Sequence, residues 1–396
     1  MKLPLPSFLS VAVTIGRKKA LRLLLPAVVF AILGACAVQE PSGTPLEKVL
    51  GSHVPAIKRV MDSISHYGLQ IRYTQIDRKN DSVVLRDFDF QVDADAYFYP
   101  ASTVKFPIAV LALEKLNRTD SLDRNTRFYV EGDSVETTFA EAISQIFAVS
   151  DNDASNRLIE FLGQDAINSG LRKKGVRPVR IAHRLGYRSD DLATKPLIIY
   201  ENDSTTAILD GTINTAPEPL DLKNITKGKG YYEGGALIDE AFDFSLNNYY
   251  PVPAQHGLLK RIVFPHLFSS EERFDISEEQ REFLLTAMHT LPKKVGYDPK
   301  EFYDGYVKFF IYGDTQQDIP ASVKIHNKVG FAHGTLTDSA YITDDQNGVE
   351  FMLTATILVN KNGIFNDDTY EYDEIGLPFL AELGRQLYAY EVDRKK

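Results

Sequence analysis

Tyr99-Pro100-Ala101-Ser102-Thr103-Val104-Lys105-Phe106-Pro107-Ile108-Ala109-Val110-Leu111-Ala112-Leu113 is the stretch on which the reading of this chain turns. Pro100 fixes its own φ and donates no hydrogen bond, so residues 99–101 read as the end of a loop. From Phe106 to Leu113 the chain is apolar almost all round, the pattern of a buried helix. Ser102 then stands at a helix N-terminus, where unpaired N–H groups favour a developing anion. Lys105 follows three residues later on the same face. Burial disfavours the charged form of a lysine, which can then take a proton from a serine. Taken alone, the pair also reads as an N-cap with a solvated first-turn lysine.

Two more short motifs follow in order. Ser150-Asp151-Asn152 lies between helical runs at 138–149 and 153–162. By itself it reads as a cluster of cap residues. Lys-Val-Gly occurs twice. Lys294-Val295-Gly296 follows a helical run (277–291) and reads as a helix stop. Lys328-Val329-Gly330 sits in a strand-like stretch beginning at Ser322, so Lys328 is taken as the functional copy.

This trio resembles the S-x-x-K, S-D-N and K-T-G set of the class A β-lactamases and the wider penicillin-recognising serine hydrolases. The segments around the first two motifs look like that family over their whole length, and the resemblance covers about residues 47–390 with one long insertion. It implies that Ser102 is the acylated nucleophile and Lys105 its base or the base's partner. Ser150 would pass a proton to the leaving nitrogen, and Asn152 would hold the substrate's amide side chain. Lys328 and Gly330 would form the wall beside the substrate carboxylate. The backbone N–H groups of Ser102 and Phe331 would form the oxyanion hole. The implied activity is amide hydrolysis, on a β-lactam or a cell-wall peptide, through an acyl-Ser102. The alternatives are a D-alanyl-D-alanine carboxypeptidase and a non-catalytic wall-binding lipoprotein.

The chain departs from the family twice. Val329 stands where a hydroxyl usually helps to bind the substrate carboxylate. Residues 181–191 carry no glutamate of the kind class A enzymes use to activate the deacylating water. Glu201, Glu218 and Glu233 in the insertion are the candidates to reach in. Acylation is therefore expected to outpace deacylation.

The chain begins with a basic stretch (Arg17, Lys18, Lys19, Arg22), followed by an apolar run at 23–33 too short to span a membrane comfortably. Leu33-Gly34-Ala35-Cys36 resembles a lipobox, with lipidation at Cys36, the only cysteine. The expected organisation is a signal peptide (1–35), a lipidated tether (36–45) and one catalytic domain (46–396), anchored in the cell envelope at the periplasmic side of an outer membrane. The leader carries five basic residues and no acid, so its removal takes the formal charge from −10 to −15. An acidic surface argues against nucleic acid as a partner. Neither a P-loop, a GxGxxG nor zinc-ligand spacing is present, so no cofactor or metal is expected. His326 and His333 read as polar surface, and Tyr231-Tyr232 and Tyr249-Tyr250 as packing.

The order of elements sets the fold class. A helix is expected at 46–64, strands at 69–77 and 82–87, helices over most of 102–291, strands from 322 to 359 and a closing helix at 373–392. Strands at both ends with helices between imply an α/β (α+β) fold of two lobes. An antiparallel sheet lobe (46–100 and 320–396) would join a helical lobe (101–319), with the site in the cleft between them. Residues 189–250 are polar and lack helical periodicity. They read either as a substrate lid or as a surface excursion.

Overall fold

Five antiparallel strands from the two ends of the chain form the central sheet of the computed structural model, which describes residues 43–80, 82–186 and 191–395. The proposed signal peptide, Cys36 and most of the tether lie outside the described residues. The strands are β1 (Gln70–Lys79), β2 (Ser82–Phe90), β3 (Val323–Ala332), β4 (Thr335–Asp344) and β5 (Val349–Leu358), in the order β3-β4-β5-β1-β2. Because β5 pairs with β1, the N-terminal hairpin closes onto the C-terminal meander, with Ile71 opposite Ala355. β3 and β2 are left as the two edges.

One face of the sheet is covered by α1 (Pro45–Leu50), α2 (Pro55–Met61) and the closing helix, here α9 (Leu377–Lys395). Their apolar residues, among them Leu46, Ile57, Val60, Phe379 and Leu383, pack with Ile71, Tyr73, Phe351 and Leu353. The single helix expected at 46–64 is two. Gly51 caps α1, and Pro55, which cannot donate, opens α2. The closing helix is entered through a π turn at Tyr372–Gly376 and runs three residues beyond the expected end.

The other face carries the helical lobe: α3 (Lys105–Asn117), α4 (Phe139–Ala148), α5 (Asn152–Leu162), α6 (Gln164–Lys173), α7 (Val252–Val263) and α8 (Glu278–His289). The starts of α4 and α8 are set by capping boxes, Thr138 with Glu141 and Ser277 with Gln280. α3 is buried almost all round and forms the lobe's core with α4 and α5. Lys294-Val295-Gly296 ends a short 3-10 turn, with Gly296 left-handed at φ 93°, as its sequence suggests.

The insertion is built from short ladders. Leu197–Tyr200 and Thr206–Leu209 extend Arg127–Val130 and Thr137–Thr138 into a four-stranded sheet. Gly230–Glu233 pairs with Ala236–Ile238 on one side and, in parallel, with Ile364–Phe365 on the other. Thr226–Lys227 pairs with Phe242–Asp243. Strands of two to four residues are too short to display alternation, so sequence periodicity could not reveal them. Phe242, Phe244 and Tyr249 of this region pack with Tyr97, Tyr99 and Ala101. The insertion thus lies against the loop that leads into Ser102.

Candidate active site

Ser102 belongs to a 3-10 turn, Ala101–Val104, that precedes α3. The helix proper starts at Lys105, three residues later than its sequence suggests. Ala101 enters the turn at φ +46°, a conformation that an L side chain adopts only when its surroundings hold it. Here the holding surface is Gly330 on β3. A Cβ on Gly330 would lie 2.5 Å from the Pro100 carbonyl oxygen, 2.9 Å from the Thr103 nitrogen and 3.0 Å from the Ser102 nitrogen. Only glycine lets the strand approach the Ser102 backbone this closely.

Ser150 is presented by the sharp connection between α4 and α5, at φ +60°. Asp151 caps α5, accepting from the Ala154 N–H at 2.7 Å. Two lysines converge on this corner. Lys105, fully buried, donates to the Ser150 carbonyl and, at 2.6 Å, to Asn152 Oδ1. Its Nζ lies 3.5 Å from Ser150 Oγ. Lys328 Nζ donates to Ser150 Oγ at 2.8 Å and to the Val329 carbonyl at 2.8 Å. Burial pushes Lys105 down to about 7, against the pull of the Asp151 and Asp153 carboxylates. Lys328 is pushed well below the usual lysine range by burial and by its cationic neighbours Lys105 and Lys308, against the pull of Asp338.

The alternation of β3 sorts its residues. His326, Lys328 and Gly330 face the helical lobe, toward α8, Ser150 and Ser102 respectively. Ile325 and Val329 face the apolar core on the other side. The Val329 side chain is therefore a core residue, not part of the cleft wall. His326 is also corrected. It is buried under α8, with Nδ1 2.9 Å from the Leu285 carbonyl and its ring 4.6 Å from that of His289. Burial and the His289 neighbour push it down to about 3. Phe331 is half exposed, its ring against Phe309 and Tyr372. His333, at the β3–β4 turn, meets Tyr99 edge-on at 4.9 Å.

Residues 55–210, which include Ser102, Lys105, Ser150 and Asn152, match the family model described as the Beta-lactamase enzyme family. Among solved structures, a class A β-lactamase from Bacteroides cellulosilyticus aligns over 89% of this chain and 100% of its own, with 14% identity and a TM-score of 0.51. The TLA-1 extended-spectrum β-lactamase aligns over 88% and 100%, with 15% identity and a TM-score of 0.52. A β-lactamase from Desulfarculus baarsii aligns over 86% and 97%, with 14% identity and a TM-score of 0.52. The chain shares the fold of these β-lactamases. No curated protein matches its sequence.

In this β-lactamase-like fold, residues 181–186 run beside α5 without an element of their own. They are held by Arg184, which bonds Glu160 at 2.5 and 2.8 Å, and by Asn156, which bonds both the N–H and the carbonyl of Leu185. Gly186, at φ +88°, lies so close to Asn152 that a Cβ would fall 2.7 Å from its Nδ2. Backbone therefore fills the space next to Asn152. Residues 187–190 lie outside the described residues. Glu201, Glu218 and Glu233, the candidates to reach the site, are all exposed on the insertion.

Sequence reading missed a polar group behind Lys328. Lys308 Nζ donates to the Met288 carbonyl and to Asn327 Oδ1, both at 2.7 Å. Asn327 Nδ2 in turn donates to the Val307 carbonyl at 2.9 Å and to Asp338 Oδ1 at 2.8 Å. All three side chains are buried. One signal was available: Lys308 interrupts the run Val307-Lys308-Phe309-Phe310-Ile311, where an unpaired charge would be costly.

Proposed function

We propose that the protein is acylated on Ser102 by β-lactams or related amides, as a lipoprotein of the cell envelope. The convergence of Lys105 and Lys328 on Ser150 carries this reading. A neutral Lys105 has two N–H bonds, which match its two close acceptors, Asn152 Oδ1 and the Ser150 carbonyl. Its lone pair is left to take the Ser102 proton. Ser102 Oγ then bonds to the substrate carbonyl carbon. As the C–N bond breaks, Ser150 Oγ gives its proton to the leaving nitrogen and is resupplied through the lysines. The amide N–H groups of Ser102 and Phe331 would receive the oxyanion, a contribution worth about 3 kcal/mol per donor in such sites.

The test is labelling by a fluorescent penicillin. The wild type should be labelled covalently, and Ser102→Ala should lose the label while keeping its fold by circular dichroism. Labelling of Ser102→Ala at the wild-type level would overturn the assignment.

The anchor rests on the basic stretch, the apolar run and the lone Cys36. Cys36→Ser should move the protein from the membrane fraction to the soluble one and abolish palmitate incorporation. Unchanged fractionation would refute it.

A further inference from the structure

The far ends of α3 and α5, together with α6, enclose a cavity of about 720 Å3. That volume falls in the usual range of small-molecule sites, roughly 300–1,000 Å3. Lys115, in its lining, stands ten residues along α3 from Lys105, roughly 15 Å at the helical rise. The cavity is therefore separate from the cleft that holds Ser102. Part of its lining is apolar, with Leu111 from α3 and Leu162 from α5. Gly170 of α6 also lines it, and a Cβ there would come 3.0 Å from Leu111 Cδ2. A glycine inside a helix costs stability, and this one lets α6 pass close to α3.

The rest of the lining is charged. Lys115, Arg118, Lys173 and Lys174 face the carboxylates of Glu114 and Glu271. Bonds within the protein use up one part of these charges. Glu114, 4% exposed, accepts from Arg118 at 2.9 Å and from the Asp275 N–H at 2.8 Å, with Lys174 Nζ at 3.4 Å. Arg118 also bonds Asp275, and Lys174 the Arg273 carbonyl. Glu271 is exposed and accepts from the Ser270 hydroxyl at 3.0 Å. Two cations are left without a carboxylate. Lys115 donates to the Phe161 carbonyl, with Nζ 4.1 Å from the centre of the Phe161 ring. Lys173, exposed at the end of α6, has neither a hydrogen bond nor an ion pair among the described residues.

We infer that this cavity binds a small amphipathic carboxylate, with its head between Lys115 and Lys173 and its apolar body against Leu111 and Leu162. An ammonium has three donors, and Lys115 has spent one of them on Phe161. The guanidinium of Arg118, whose fork suits a phosphate, is already committed to Glu114 and Asp275. Two lysine point charges remain, and a carboxylate can accept from both. The apolar lining gains only if the ligand carries a hydrocarbon part, which sets the class apart from an inorganic anion. This inference does not depend on the chemistry at Ser102.

The test is NMR of the full-length protein carrying 13C at lysine Cε, with Lys115 and Lys173 assigned through Lys115→Arg and Lys173→Arg. Octanoate at millimolar concentration should shift both resonances along one saturable curve. Octan-1-ol, which lacks the charge, should leave both in place. Lys173→Glu reverses one exposed charge and should weaken octanoate binding about tenfold or more, read from the Lys115 resonance. Ala166→Trp adds bulk at an exposed lining position, leaves every charge in place and should abolish binding. Resonances that octanoate does not move would overturn the inference. So would an affinity unchanged in both variants, or a drift without saturation shared by the other exposed lysines, the mark of general ionic adsorption. Equal shifts with octan-1-ol would refute the anionic class.

Discussion

Burial pushes Lys105, which is bonded to Ser150 and Asn152, down to about 7, below the usual lysine range. The base is the neutral amine, so the competent fraction grows as the pH rises. The rate of penicillin labelling should therefore climb about tenfold per pH unit below 7 and level off above it, a limb that stopped-flow fluorescence between pH 5 and 9 would resolve. Lys105→Arg should lose this limb, because a guanidinium keeps its proton throughout. A wild-type rate that stays constant from pH 5 to 9 would remove Lys105 from the role of base. Ser102, Lys105, Ser150, Asn152 and Lys328 could be singled out in the sequence because each stands in a short motif. Lys308 and Asp338 could not. They lie thirty residues apart in sequence and are linked only through the Asn327 amide. The burial of Val329 in the apolar core was hidden for a related reason. A motif gives the neighbours of a residue along the chain, whereas the alternation of β3 decides which side of the sheet it serves.

Residues 181–186 show how an irregular segment is held by the elements beside it. Arg184 and Glu160 are 4% and 9% exposed and form a two-pronged ion pair, and Glu160 also accepts from the Lys195 N–H at 2.8 Å. Breaking a buried pair from one side strands a charge. Arg184→Met should thus lower the unfolding free energy by about 3–5 kcal/mol in urea titrations. Arg184→Met combined with Glu160→Leu should recover much of that loss, because no charge is left without a partner. A single variant as stable as the wild type would mean that water, not Arg184, compensates Glu160. Among the elements, sequence reading succeeded where caps or long apolar patterns mark the boundaries, as at Thr138 and Ser277. It overran where Gly51 and Pro55 divide one apolar pattern into two helices. It had nothing to work with in the insertion, whose short ladders take their pairing from distant strands and their burial from Tyr97 and Tyr99.

At the scale of the whole molecule, the site exists only because the chain closes on itself. The Ser102 turn and Ser150 belong to the middle of the chain, whereas Lys328 and Gly330 belong to a sheet completed by strands from both ends. Under the proposed function, this assembly serves the acylation half of a hydrolytic cycle. Release of the acyl group needs a water with a base beside it. Next to Asn152 the described chain offers the backbone of Gly186, and the glutamates of the insertion are exposed on its surface. Lys105 would have to activate that water as well as Ser102, although its two N–H bonds are already committed to Asn152 and the Ser150 carbonyl. We expect acylation to outrun deacylation. Mixed with nitrocefin in a stopped-flow instrument, the protein should release a burst close to one equivalent and then settle to a slow steady rate. Mass spectrometry of the quenched reaction should find the acyl group on Ser102. Linear, burst-free turnover above about 100 per second, well inside the usual enzyme range, would show that a second base reaches the acyl-enzyme. The residues to substitute in that case are Asp190, outside the described residues, and the exposed Asp191. A loss of steady turnover on either change, with the burst intact, would identify the base.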